Sequence, residues 1–289
     1  MPVGADRYLG VSEWGPAHAD KNVVWFHGTP GARRQVPEQA RRYAHEHGVR
    51  LVSVDRPGVG LSTPHLYDRL VQYGDDLGPA LERLGIDRFS VVGLSGGAPY
   101  ALAMAHAFGN RVPTVGILGG VVPSGGDEGA AGGLVGIANR FRGLLPLMSE
   151  PAGAALTGLI KAVDKVSFLG PTLLKAYGLT TPPLDREFLA QPENVEMFLD
   201  DIVNSGRHGM RAVVFDGVLF TRDWGFSVRD VTQRVTWWHG DADNIVPLSH
   251  AHHIVPLLPN AELRVQHGGG HLSGLGFGAE VLRTVLDWG

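Results

Sequence analysis

The sequence has no cysteine among its 289 residues. Disulfides, thiolate metal sites and a cysteine nucleophile are therefore excluded. It has no block of basic charge: 25 Lys+Arg stand against 29 Asp+Glu, a net charge of -4. That balance argues against nucleic acid or an anionic membrane as the main partner. Long apolar runs are also missing. Val112–Val122 is short, and Leu144–Val163 is broken by Pro146, Glu150 and Pro151, so neither supplies the ~20 apolar residues of a bilayer span. The N-terminus, MPVGADRYLGVSEWG, lacks the basic and apolar regions of a secretory signal. No period of roughly 20–50 residues recurs. The expectation is a cytoplasmic protein with no stable membrane insertion. Lysine is scarce, 4 against 21 arginines, a bias associated with high-GC bacterial genomes.

What is abundant is glycine, 41 residues, about twice the usual ~7%. Every glycine motif is weakened by that excess. The pattern G-x-S-x-G occurs once, at Gly93-Leu94-Ser95-Gly96-Gly97. Chance alone would supply roughly 0.2 copies, so the match gains weight only from its context.

That context is a series of short apolar runs bounded by turn residues, the pattern of buried parallel strands. They are Val23–Phe26, Arg50–Val54, Phe89–Gly93, Thr114–Leu118, Val235–Trp238 and Leu263–Val265, with Tyr8–Glu13 as an edge strand. Between them lie helical stretches at Arg33–His47, Tyr67–Leu84, Gly97–Phe108, Leu248–Leu257 and Gly278–Trp288. Strand alternating with helix predicts an α/β fold with a mostly parallel central sheet flanked by helices. The alternation stops after Leu118 and resumes at Val231. In between come a Gly-rich stretch (Gly125–Gly133) and helical patterns at Leu134–Leu147, Ala152–Phe168 and Glu193–Asn204. The predicted organisation is one core in two parts, residues 1–122 and 225–289, with a helical insertion at 123–224. The alternative, a second independent domain, leaves the sheet short of material on either side.

Ser95 sits between a strand and a helix, on a turn whose neighbours must be small. Gly93 and Gly97 avoid clashes there, and Pro99 falls in the first helical turn, where its missing N–H does little harm. The helix start directs backbone N–H groups, that of Gly96 first, at a developing oxyanion. An ordinary strand–glycine–helix turn is the plain alternative. A second Gly-rich turn, Phe26-His27-Gly28-Thr29-Pro30-Gly31, follows the first core strand and offers the Thr29 N–H as a second donor.

A serine nucleophile needs a base, usually histidine, oriented by a carboxylate. Position chooses among 13 histidines. His271 ends a Gly268-Gly269-Gly270 loop after the last strand, where ligands meet such sheets. His267 remains the alternative. His45, His47 and His106 read as helix-face residues, and His27 and His239 as residues that shape turns. His250, His252 and His253 share a helix without the spacing of a zinc site. For the carboxylate, the loop after Val235–Trp238 holds Asp241 and Asp243. Asp243 lies farther out and is preferred as the orienter, with Asp241 bracing the turn.

Taken together, HGTPG, DRPGVGLS (Asp55–Ser62), GLSGG, HGDADNIVP and GGGH resemble the α/β-hydrolase family over residues 8–122 and 225–289. The order Ser95, Asp243, His271 is the family's order of nucleophile, acid and base. The resemblance implies an eight-stranded sheet with a helical lid at residues 123–224. The N-terminus is short for the family's first strand, so the sheet is expected to lack it. Relatives that open epoxides or displace halide carry Asp at the position of Ser95. The reading is therefore a serine hydrolase that cleaves a carboxylic ester or similar small acyl compound, with no metal and no organic cofactor. Leu144, Leu145, Leu147, Met148, Leu156 and Phe168 suggest a partly apolar acyl pocket. Rival readings are a proline-iminopeptidase-like aminopeptidase, which needs acids such as Glu150, Asp185, Glu187, Glu193, Glu196, Asp200 or Asp201 for the substrate amine, and a C–C bond hydrolase. From another class comes a non-catalytic hydrolase-like receptor.

Overall fold

The computed structural model describes the chain except residues 131, 133–139, 141–150, 152, 156, 159–173, 175, 207, 210 and 289. Among the described residues, seven strands form one sheet. They are β1 (Val11–Trp14), β2 (Lys21–Phe26), β3 (Val49–Val54), β4 (Ser90–Leu94), β5 (Thr114–Leu118), β6 (Arg234–Gly240) and β7 (Ala261–Gln266), in the spatial order β1-β3-β2-β4-β5-β6-β7. Only β1 runs antiparallel, against β3; the other pairings are parallel. The eight strands implied by the family resemblance thus become seven. Residues 8–10 contribute to no strand. The Leu9 carbonyl accepts the N-terminal amino group, and the Gly10 N–H donates to Ser62 Oγ. The edge strand expected from Tyr8 therefore begins at Val11.

The central strands are buried from end to end: β3, β4 and β5 throughout, and β2 and β6 but for one residue each. This is the signature of a sheet covered on both faces. Side chains alternate between the two covers. Val23 and Trp25 face α1 (Glu38–Glu46) and α8 (Gly278–Val285), whereas Val24 and Phe26 face α2 (Gly74–Leu84), α3 (Ala98–Phe108) and α7 (Leu248–Ile254). The neighbours Trp237 and Trp238 divide the same way.

Helix α1 starts at Glu38 rather than Arg33: Pro37 is its extended cap, and a proline disfavours helical backbone at the residue before it. Between β5 and β6 lie α4 (Pro183–Ala190), α5 (Pro192–Ser205) and α6 (Arg211–Phe220). The predicted Glu193–Asn204 falls within α5. The predicted Leu134–Leu147 and Ala152–Phe168 fall largely outside the described residues, as do Leu144, Leu145, Leu147, Met148, Leu156, Phe168 and Glu150. Among the described residues, no helix is long and apolar enough to cross a membrane.

Candidate active site

Parallel strands deliver their following loops to one edge of the sheet, and that edge is where the singled-out residues meet. Ser95 follows β4 directly, at φ 52°, the only non-glycine residue with positive φ among those described. The chain enters α3 so closely that a Cβ on Gly97 would press into the Phe26 carbonyl and stand 2.7 Å from that of His27. A Cβ on Gly93 would lie 2.7 Å from Ala98 Cα. The small residues of this turn are therefore required by contact with backbone.

His271, in the loop after β7, places Nε2 2.9 Å from Ser95 Oγ and Nδ1 2.7 Å from Asp243 Oδ2. The Asp243 side chain is fully buried. Its Oδ1 accepts the N–H groups of Ile245 and Val246, each at 2.9 Å. Burial favours the neutral acid, but hydrogen bonds from His239, His271 and the Val246 N–H outweigh it and hold the carboxyl well below its usual range. A Cβ on Gly119, after β5, would lie 3.4 Å from Asp243 Oδ2 and 3.5 Å from His271 Nδ1. The relay thus packs against bare backbone. The alternatives Asp241 and His267 pair with one another instead, at 3.0 Å on the surface, and Asp241 also accepts the Gly268 N–H.

The turn after β2 lies alongside. A Cβ on Gly28 would stand 3.5 Å from Ser95 Cβ, and one on Gly96 would stand 2.9 Å from Thr29 Cβ. The Gly28 N–H is engaged by Gln35 Oε1 at 2.6 Å, whereas the Thr29 N–H meets no acceptor among the described residues. His27 is fully buried; it accepts the Arg56 N–H at Nε2 and donates from Nδ1 to the Gly28 carbonyl. Burial and the Arg56 charge push its pKa well below the usual value. It is a neutral brace, as its turn position suggested. His239 braces the other loop: Nδ1 accepts Trp237 Nε1–H, and Nε2–H donates to the Val246 carbonyl at 2.8 Å, 3.5 Å from Asp243 Oδ2.

Three residues at this edge escaped the sequence reading of the site or were assigned another role. Arg56, 1% exposed, donates to the carbonyls of His27 and Gly28, to Thr29 Oγ1 at 2.6 Å and to Asp216 Oδ2 at 2.7 Å. Asp216, on α6, also accepts from Thr29 Oγ1 (2.6 Å) and from Tyr100 Oη (2.9 Å). Asp185, on α4, accepts the N–H groups of Gly270 and Leu272. A lone acid in the apolar run Val213-Val214-Phe215-Asp216-Gly217-Val218 was the available signal for Asp216. Arg56 lay inside a motif that had been read only for its family likeness.

The Alpha/beta hydrolase family model matches residues 23–284. No curated protein matches the sequence. Among solved structures, the enol-lactonase from Burkholderia xenovorans LB400 superposes with a TM-score of 0.69 at 14% identity, covering 99% of this chain and 98% of that one. The esterase from Exiguobacterium antarcticum gives 0.66 at 18% identity, covering 98% and 95%. The bromoperoxidase from Bacillus anthracis gives 0.66 at 20%, covering 97% and 96%. At such identities these likenesses establish the fold alone, while the family match spans most of the sequence. The chain belongs to the alpha/beta hydrolase family.

Proposed function

We propose that the protein is a serine hydrolase that cleaves a carboxylic ester, or a similar small acyl compound, through an acyl-enzyme on Ser95. The observation that carries this reading is the unbroken relay from Ser95 Oγ through both nitrogens of His271 to a buried, ionised Asp243. In the proposed mechanism Ser95 Oγ attacks the carbonyl carbon while His271 Nε2 takes its proton. Asp243 holds the imidazole in the required tautomer and stabilises the imidazolium. The N–H groups of Thr29 and Gly96 receive the oxyanion, and loss of one such donor costs about 3 kcal/mol in barrier. His271 then gives its proton to the leaving alcohol and activates water for deacylation. No metal or organic cofactor enters these steps. Residues 123–224 serve as a lid over a partly apolar acyl site.

The aminopeptidase reading draws less support. It needs an acid free to meet an amine. Among the described acids, Asp185 and Asp201 are committed to backbone N–H groups, Asp200 pairs with Arg34, and Glu187, Glu193 and Glu196 are exposed. Short p-nitrophenyl esters test the proposal. Ser95→Ala should lower kcat by about 10⁴-fold or more; turnover at the wild-type rate would remove Ser95 from its role. A fluorophosphonate probe should label the wild type at Ser95. No labelling would favour a non-catalytic receptor.

A further inference from the structure

His271 stands at the end of a weak tether. It follows three consecutive glycines, the residues that restrict backbone least, and Gly268 already adopts φ 75°. A catalytic base must be held to within about 0.5 Å of its productive position, so the loop needs restraint from outside.

Helix α4 supplies it. Asp185 is 3% exposed, and its carboxylate spans His271 on the backbone: Oδ1 accepts the Gly270 N–H at 2.8 Å and Oδ2 the Leu272 N–H at 3.0 Å. The Leu184 N–H donates to the Gly268 carbonyl at 3.2 Å. The approach is close enough that a Cβ on Gly270 would stand 2.5 Å from Asp185 Oδ2 and 2.9 Å from Pro182 Cγ. Phe188 and Leu189 of the same helix are buried in the core, which anchors the carboxylate to the body of the fold. Burial raises its pKa, while the two N–H donors and the nearby imidazole of His271 oppose that rise and favour the carboxylate.

We infer that Asp185 is a positioning residue for the base. It clamps the two amides flanking His271, fixing the ring toward Ser95, and adds a second negative charge that favours the imidazolium. The inference rests on the proposed hydrolase chemistry for its kinetic consequence but not for its electrostatic one. Among the described residues, the charged and titratable groups facing His271 are Asp243 from the loop after β6 and Asp185 from α4; His239 stands behind Asp243.

The test compares wild type, Asp185→Asn, Asp185→Glu and Glu187→Gln, an exposed position on the same helix. With p-nitrophenyl acetate, Asp185→Asn should lose about 10- to 100-fold in kcat with KM nearly unchanged. Its acid limb should move to lower pH, since one charge favouring the imidazolium is gone. Glu187→Gln should match wild type. An Asp185→Asn enzyme that loses only melting temperature, with wild-type kcat and acid limb, would overturn the inference. If Asp185→Asn does not fold, Asp185→Glu decides: a lowered kcat with an unmoved acid limb supports the clamp, and wild-type kcat overturns it. NMR titration of the His271 ring, in wild type and Asp185→Asn, needs no substrate. A downward shift there supports the clamp even if no ester is turned over, a result that would sink the esterase reading alone.

Discussion

At the residue scale, the buried histidine of the turn after β2 has a consequence for stability. Folded, His27 is kept neutral by burial and by the Arg56 charge. Unfolded, it takes up a proton near pH ~6.5. The unfolded state thus binds more protons below that pH, so stability is full above it and declines as the pH falls toward the much lower folded value. One such group contributes up to about 1.4 kcal/mol per pH unit. His27→Asn should be less stable than wild type at neutral pH but should show a shallower decline between about pH 6.5 and 5. Urea denaturation at stepped pH measures both. Equal slopes would mean that His27 is charged in the fold.

At the same scale, Ser95, Asp243 and His271 were legible in the sequence because each occupies a loop directly after a recognisable strand. Arg56, Asp185 and Asp216 were not. Asp216 meets Arg56 across 160 residues and Asp185 meets Gly270 across 85. No local pattern records such a pairing. Asp185 entered the sequence reading only as one of several acids for a substrate amine; in the fold it is spent on the loop that carries His271.

At the element scale, the central strands were legible almost to their ends, because a strand covered on both faces is a continuous apolar run. Helices α4 and α6 were not predicted. Helix α6 reads Arg-Ala-Val-Val-Phe-Asp-Gly-Val-Leu-Phe and buries Ala212, Phe215, Asp216, Val218, Leu219 and Phe220, so it lacks the one-sided period that marks a surface helix. The junction of β4 and α3 makes a sharper prediction. A methyl group on Gly97 meets backbone carbonyls that cannot rotate away, whereas Gly48, at φ 64°, has nothing within 4 Å of the added carbon. Gly48→Ala should cost only the left-handed backbone penalty, about 1–2 kcal/mol. Gly97→Ala should cost at least as much again, about 3 kcal/mol or more, and displace the turn that carries Ser95. Similar denaturation midpoints for the two variants would show that α3 yields.

On the scale of the whole molecule, helices α4, α5 and α6 are each joined to the sheet edge by a buried carboxylate. Asp185 holds the loop of His271, Asp201 the Ala32 N–H, and Asp216 the Arg56 side chain and Thr29 hydroxyl. The Arg56–Asp216 pair is nearly excluded from water. Removing one partner leaves a buried charge uncompensated, at a cost of about 3–5 kcal/mol. Asp216→Ala should lower the urea midpoint accordingly and also reduce kcat, because Thr29 loses its lateral support. An Arg56→Leu/Asp216→Leu double variant should be more stable than either single variant. Additive losses would show that the two groups do not depend on one another.

The sequence alone determined the α/β alternation, the tight turn that leads from β4 into α3, and the chain order of Ser95, Asp243 and His271. Each of these follows from local periodicity or from what a tight turn can accommodate. Only the tertiary structure decided which acid serves which histidine, Asp243 with His271 inside and Asp241 with His267 outside. Only it revealed that acids of α4, α5 and α6 are spent on the loops around Ser95. Those choices depend on distance and burial across the fold, and a buried carboxylate takes whichever donors the assembled chain brings to it.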